Sequence, residues 1–108
     1  MRNEVRVVLV TAPADEAPGL ARQLVDEGVA ACVSLAPGLT SVYRWKGDVL
    51  EAAETLLLVK TTEARIDELQ RRVVALHSYE VPEFLVVPVE SGLDAYLGWV
   101  AAETARTV

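Results

Sequence analysis

The chain has 108 residues, about half of them apolar and a quarter charged, with a net charge of −6 and a single cysteine, Cys32. That length suits one hydrophobic core spanning residues 1–108, and the acidic balance argues against a nucleic-acid partner, whose phosphates draw on clustered Lys and Arg. One cysteine excludes an internal disulfide, no apolar run nears the roughly 20 residues that cross a bilayer, and the N-terminus lacks a signal peptide's apolar core, so a cytoplasmic location without membrane contact is expected.

In chain order, Val5 to Val10 is a β-branched run interrupted only by Arg6, the pattern of a strand covered on both faces. Asp15 offers an N-cap and Pro18 fits a first helical turn; Ala17, Leu20, Ala21, Leu24 and Val25 follow at helical spacing, and Gly28 falls where a left-handed C-cap would sit. From Cys32 to Thr62 the residues read as two long strands around the polar break Lys46-Gly47-Asp48. Each arm of roughly 14 residues extends about 45 Å at ~3.3 Å per residue. A compact chain of this length has a radius of gyration near 13 Å, so the hairpin tip must overhang its own core.

Thr62 is placed to cap a second helix carrying Ile66, Leu69, Val73 and Leu76 on one stripe. Within it, Arg65, Arg71 and Arg72 alternate with Glu63, Asp67 and Glu68, as on a solvated face. Residues 77–83 break the helix before Pro82. Phe84 to Val89 is a further apolar strand with Pro88 at its end or edge, and Ser91 with Asp94 resembles a capping box opening a third helix whose stripe is Leu93, Tyr96, Leu97, Val100 and Ala101.

The order β-α-β-β-α-β with an added C-terminal helix predicts an α+β, ferredoxin-like split sandwich in which two helices cover one face of a four-stranded antiparallel sheet. Its strands are nevertheless apolar on both faces: Val5, Val7 and Leu9 alternate with Val8 and Val10, and Leu56 and Leu58 with Leu57 and Val59. Leaving ~500 Å² of the second face wet would forfeit on the order of 12 kcal/mol, as much as the net stability of a domain. A closed ring of identical chains would cover it and pair the overhanging hairpins.

Five blocks in order carry a resemblance: residues 28–33 (GVAACV), Pro37-Gly38 with 41–45 (SVYRW), 58–62 (LVKTT), 77–83 (HSYEVPE) and 96–99 (YLGW). Together they resemble the CutA family of divalent-cation tolerance proteins. The resemblance implies a homotrimer shaped like the PII signalling proteins, a role in the response to metal ions, and binding of Cu(II) or another divalent cation. It also implies a pocket between subunits near the Lys-Thr-Thr and Tyr-x-x-Pro-Glu motifs. Where family members have a proposed copper site, its ligands are a cysteine in the first strand and two adjacent histidines; this chain has Val10 at the first position and Leu76-His77 at the pair, so one ligand of three remains.

The candidate metal residues are accordingly His77 and Glu83, although copper and zinc prefer three or four soft ligands at one point. The structural alternative for His77 is an imidazolium placed against the carbonyls that end the second helix. Lys60, Tyr79, Trp45, Tyr43 and Trp99 are candidates for a ligand cleft, Lys60 as an anion contact and the aromatics either as a ligand platform or as packing between subunits. That cleft supports a second function, a PII-like signalling or scaffold trimer binding a small anion. Cys32, among Ala30, Ala31 and Val33, is expected to act as a small buried hydrophobe. His77 is the sole histidine, so no serine or cysteine has a base and an orienting acid, and catalysis is not expected.

Overall fold

The computed structural model describes residues 3–105. Its elements are β1 (Val5–Ala12), α1 (Ala17–Asp26), β2 (Cys32–Trp45), β3 (Asp48–Thr62), a 3-10 turn (Glu63–Arg65), α2 (Ile66–Leu76), β4 (Leu85–Pro88) and α3 (Asp94–Glu103). The sheet runs β2-β3-β1-β4 with every neighbouring pair antiparallel, the expected α+β sandwich.

One face of the sheet is closed by α1 and α2. Val8 and Val10 of β1, Leu57 and Val59 of β3, Leu24 of α1 and Leu69 and Val73 of α2 are all fully buried in one cluster. The register sets Val8 opposite Val59 and Val10 opposite Leu57, so the period of two sends Val7, Leu9, Leu56, Leu58 and Lys60 to the other face. One end of that face is covered where Val100 and Leu97 of α3 pack on Val5 and Ala31, and at the other end Thr11 and Glu54 are buried. Elsewhere it stays open, with Leu85 and Val87 of β4 exposed.

The hairpin overhangs as its length requires. The molecule measures 46 × 27 × 22 Å, and β1 pairs with β3 only from Thr55 to Thr62, which leaves the rest of β3 with β2 as its one partner. Lys46 and Gly47 both have positive φ, 50° and 87°, and form the two-residue turn whose twist suits a hairpin; Asp48 already belongs to β3. Near the middle, Pro37 and Gly38 lie opposite Thr55 alone, a bulge made possible by Gly38 at φ 83°. The extra residue reverses the parity of β2. Cys32, Ser34 and Ala36 share the open face before it, and Ser41, Tyr43 and Trp45 share that face after it.

Several local expectations differ from the structure. Asp15 does not cap α1; Glu16 holds that position without a side-chain bond, and the Pro13 carbonyl accepts the N–H groups of Glu16 and Ala17 instead. Gly28, at φ 75°, does end the helix, with its N–H donated to Val25. Thr62 is extended before the 3-10 turn, and its hydroxyl meets that of Thr104 at 3.1 Å rather than capping. Leu93, not Ser91, precedes α3, and no side chain caps it. Leu76 is exposed, as are Leu93, Tyr96 and Ala101; in the last segment Leu97, Val100 and Thr104 are the residues drawn into the structure. Arg65 is no solvated residue: it is 8% exposed with NH1 3.1 Å from Glu68, and Arg72 donates to both oxygens of Glu27 at 2.6 and 2.9 Å, tying α2 to the end of α1. That ion pair holds the Glu27 carboxyl below its ordinary range.

Leu57→Ala should lower stability by about 2–5 kcal/mol, since it opens a cavity among fully buried neighbours. Gly38→Ala should cost about 1 kcal/mol through backbone strain alone, because nothing lies within 4 Å of the added carbon. Urea midpoints of the two variants check both values.

Candidate functional site

The outer part of β2, Glu54 of β3, the end of β1 and the loop after α2 together frame a groove of about 800 Å³. Ser41, Tyr43 and Trp45 form its hairpin wall, Thr11 and Glu54 its inner end, and residues 78–83 the opposite wall. Three pins hold that loop. His77 Nε2–H donates to the Thr11 carbonyl at 2.7 Å, the Ser78 hydroxyl donates to Glu16 at 2.7 Å, and the Tyr79 hydroxyl donates to Glu54 Oε2 at 2.8 Å. The loop is therefore fastened to β1, to the residue preceding α1, and to β3.

His77 is 8% exposed and both ring nitrogens are engaged. Nδ1 accepts the Tyr79 N–H at 3.0 Å, so it carries the lone pair and Nε2 the proton. The ring packs against that of Tyr79 at 4.6 Å between centroids. Its N–H, not its imidazole, completes α2, donating to Val73 at 2.9 Å; the imidazole turns away from the helix end toward β1. A metal ion would reach Nδ1 only by displacing the Tyr79 amide. Among the described residues no group of three or more His, Cys, Asp or Glu side chains is arranged to hold a metal.

Glu54 is the residue that sequence reasoning missed. It is 6% exposed in the middle of the longest strand, and the alternation of β3 places it on the same face as Leu56 and Leu58. A lone carboxylate in phase with that apolar face was its available signal. Among the described residues it has no ion-pair partner, and Tyr79 supplies its hydrogen bond. The field it creates is visible in its neighbours. Burial and the Glu54 carboxylate push the Tyr79 hydroxyl up to about 12, and burial with the same charge raises the Glu83 carboxyl.

Of the seven candidate residues, Tyr43, Trp45, Tyr79 and Glu83 line this groove, and His77 braces it from behind. Lys60 and Trp99 lie elsewhere. Lys60 is six residues beyond Glu54 on β3, roughly 20 Å at ~3.3 Å per residue. There its ammonium donates to the Ser34 hydroxyl and lies 3.8 Å from Cys32 Sγ. Trp99 packs on Tyr96 in α3, with ring centroids 5.7 Å apart and both rings exposed. Burial, and then the neighbouring Cys32, raise the Tyr96 hydroxyl. Cys32 is thus partly exposed on the open face beside polar groups and lies outside the helix-side core, contrary to its apolar sequence context.

Comparison with known proteins bears on the family and the fold. The sequence pattern of the family described as CutA1 divalent ion tolerance protein matches residues 6–103. The chain is 50% identical over 99 residues to a divalent-cation tolerance protein CutA of Thermus thermophilus, covering 91% of this chain and 96% of that one. It is 43% identical to the chloroplastic protein CutA of Arabidopsis thaliana over 91% of its own length, but spans only 54% of that relative. The solved PII-like protein CutA from Nostoc superposes with a TM-score of 0.88 at 38% identity, covering 93% of this chain and 97% of the other. No helix among the described residues is long and apolar enough to cross a membrane. With a family pattern that spans nearly its whole length and a relative at half identity, the chain belongs to the CutA1 divalent ion tolerance family.

Proposed function

We propose that this protein acts as a cytoplasmic homotrimer in the response to divalent metal ions, meeting cations at the groove between the hairpin and residues 78–83. The observation that carries the cation reading is the acidic lining of the groove: among the described residues Glu54, Glu80 and Glu83 line it, and no Lys or Arg does. Family membership and the names of the relatives support the link to divalent ions. Copper would find one imidazole here, already engaged twice, so Glu83 and Glu54 take the ion through oxygen and binding is weak. The uncovered apolar face and the exposed tip residues Val42 and Val49, both more than 60% exposed, support the trimer. A PII-like relay that binds a small anion is the second reading. It would have to be built on Lys60, which stands apart from the groove beside Ser34 and Cys32.

Calorimetric titration with Cu(II) and Zn(II) tests the cation site. Glu83→Gln should weaken binding by about tenfold, the effect of removing one charge-assisted ligand. His77→Ala should leave affinity nearly unchanged while lowering stability by about 1–3 kcal/mol through its lost buried bonds; a large loss of affinity instead would restore His77 as a ligand. Sedimentation tests the assembly. Leu85→Glu, at a position 54% exposed in one chain, should convert a three-chain species into single folded chains, and wild-type protein sedimenting as one chain would refute the trimer.

The latch on the groove has its own pH signature. The Tyr79 hydroxyl is raised in the folded chain to about 12 from an ordinary value of 10, so its contribution to stability is complete below about pH 10 and is lost as the pH rises through about 12. Tyr79→Phe should flatten unfolding free energy across that window, followed by urea denaturation at each pH.

A further inference from the structure

The groove is larger than an ion needs and its walls are aromatic. We propose that it binds a small organic cation, a primary ammonium or guanidinium head placed between Glu54 and Glu83 with an apolar or planar body against Tyr43, Trp45 and Tyr79. The inference rests on the reading above only in taking the groove as open to cations, and it names a different chemical class from a metal.

Three observations converge on it. A volume of about 800 Å³ falls within the range of roughly 300–1,000 Å³ found for pockets that hold small molecules, far beyond a single dehydrated ion. Glu54 is 94% buried, since it is 6% exposed, and among the described residues it faces no basic side chain, so its carboxylate lacks the counter-charge that a buried ion ordinarily has. One hydrogen bond from Tyr79 Oη satisfies only part of its acceptor capacity. The walls supply π faces, which attract ammonium and guanidinium groups, whereas a divalent metal ion in a protein is held by oxygen, nitrogen or sulfur ligands. At the hairpin tip the Lys46 ammonium lies 5.9 Å from the Trp45 ring centroid, so the chain already sets a cation over one of these rings, outside the groove lining.

The competing ligands fit less well. A hard divalent ion takes about 6–8 oxygens, and a soft one takes clustered His or Cys; the described residues gather no such set. An anion would meet three carboxylates. A neutral aromatic molecule would fill the walls and leave Glu54 uncompensated. The start of the loop is fastened by the bonds of His77, Ser78 and Tyr79, which lowers the ordering required of that wall on binding.

Benzamidine, benzamide and benzoate share a ring and differ in charge, so calorimetric titration of the full chain in its solution assembly at neutral pH separates the possibilities. Benzamidine should bind at least about tenfold more tightly than benzamide, with benzoate silent. Glu54→Gln should weaken benzamidine about tenfold, and exposed Glu83→Gln, a variant with little folding risk, should weaken it in the same direction; Lys60→Ala should change nothing. Equal affinity for benzamidine and benzamide, binding of benzoate, or no binding of benzamidine would each overturn the proposal. A Zn(II) titration of the same sample distinguishes its failure from that of the metal reading: Zn(II) bound without any benzamidine binding removes the organic cation alone, whereas benzamidine bound without Zn(II) removes direct metal binding alone.

Discussion

The length of β3 governs this molecule. Its fifteen residues are nearly twice the eight of β1, so one half can be a central strand with a neighbour on each side while the other half has only β2. A strand cannot stop half its side chains from alternating. Residues that follow the central half therefore continue onto an unsupported ribbon, carrying Val49 and Leu50 into solvent together with Val42, Tyr43 and Trp45 of β2. The groove lies at the place where support ends, between Thr11 at the end of β1 and the ribbon beyond it. Overhang and site thus have one cause.

Two small features turn that geometry into chemistry. The bulge at Pro37-Gly38 inserts one residue into β2 and so changes which side chains share a face with Glu54. Without it, Tyr43 and Trp45 would point to the helix side of the sheet and the groove would lose its aromatic wall. The second feature is the loop after α2, where the buried imidazole of His77 bridges a carbonyl of β1 and an amide of the loop itself. An exposed histidine in that sequence would be a plausible ligand. Burial with both nitrogens bonded makes it a brace for the loop whose Glu80 and Glu83 line the groove.

Charge then decides what the groove accepts. Glu54 is buried just past the end of β1, opposite Leu39 of β2 and bonded by the Tyr79 hydroxyl; burial first, and then Glu54, raise the Tyr79 hydroxyl and the Glu83 carboxyl. Among the described residues no Lys or Arg forms an ion pair with Glu54; Arg72 pairs with Glu27, Arg65 with Glu68, and Lys60 bonds Ser34. An acidic surface overall says little about partners, but an uncompensated carboxylate in an aromatic groove is specific. The same face carries the exposed Leu85 and Val87 of β4, so the proposed cation site and the proposed contact between chains share it.

Periodicity determined much of this protein before any contact was known. The alternation of Val5 to Val10, the 3–4 spacing of Leu20, Leu24, Leu69 and Val73, and the glycine after α1 specify their elements locally, because each reflects backbone geometry that a few neighbouring residues impose. The five sequence blocks were enough to indicate the family. Helix starts were less legible, since Asp15, Thr62 and Ser91 have capping chemistry but the Pro13 carbonyl and the Thr104 hydroxyl compete for the bonds involved. What only the tertiary structure decided is which distant groups meet: Glu54 with Tyr79, His77 with Thr11, Lys60 with Ser34 and not with Glu83. Strand register and one bulge set those meetings, and neither leaves a mark on local composition because both arise from pairing between segments far apart in the chain.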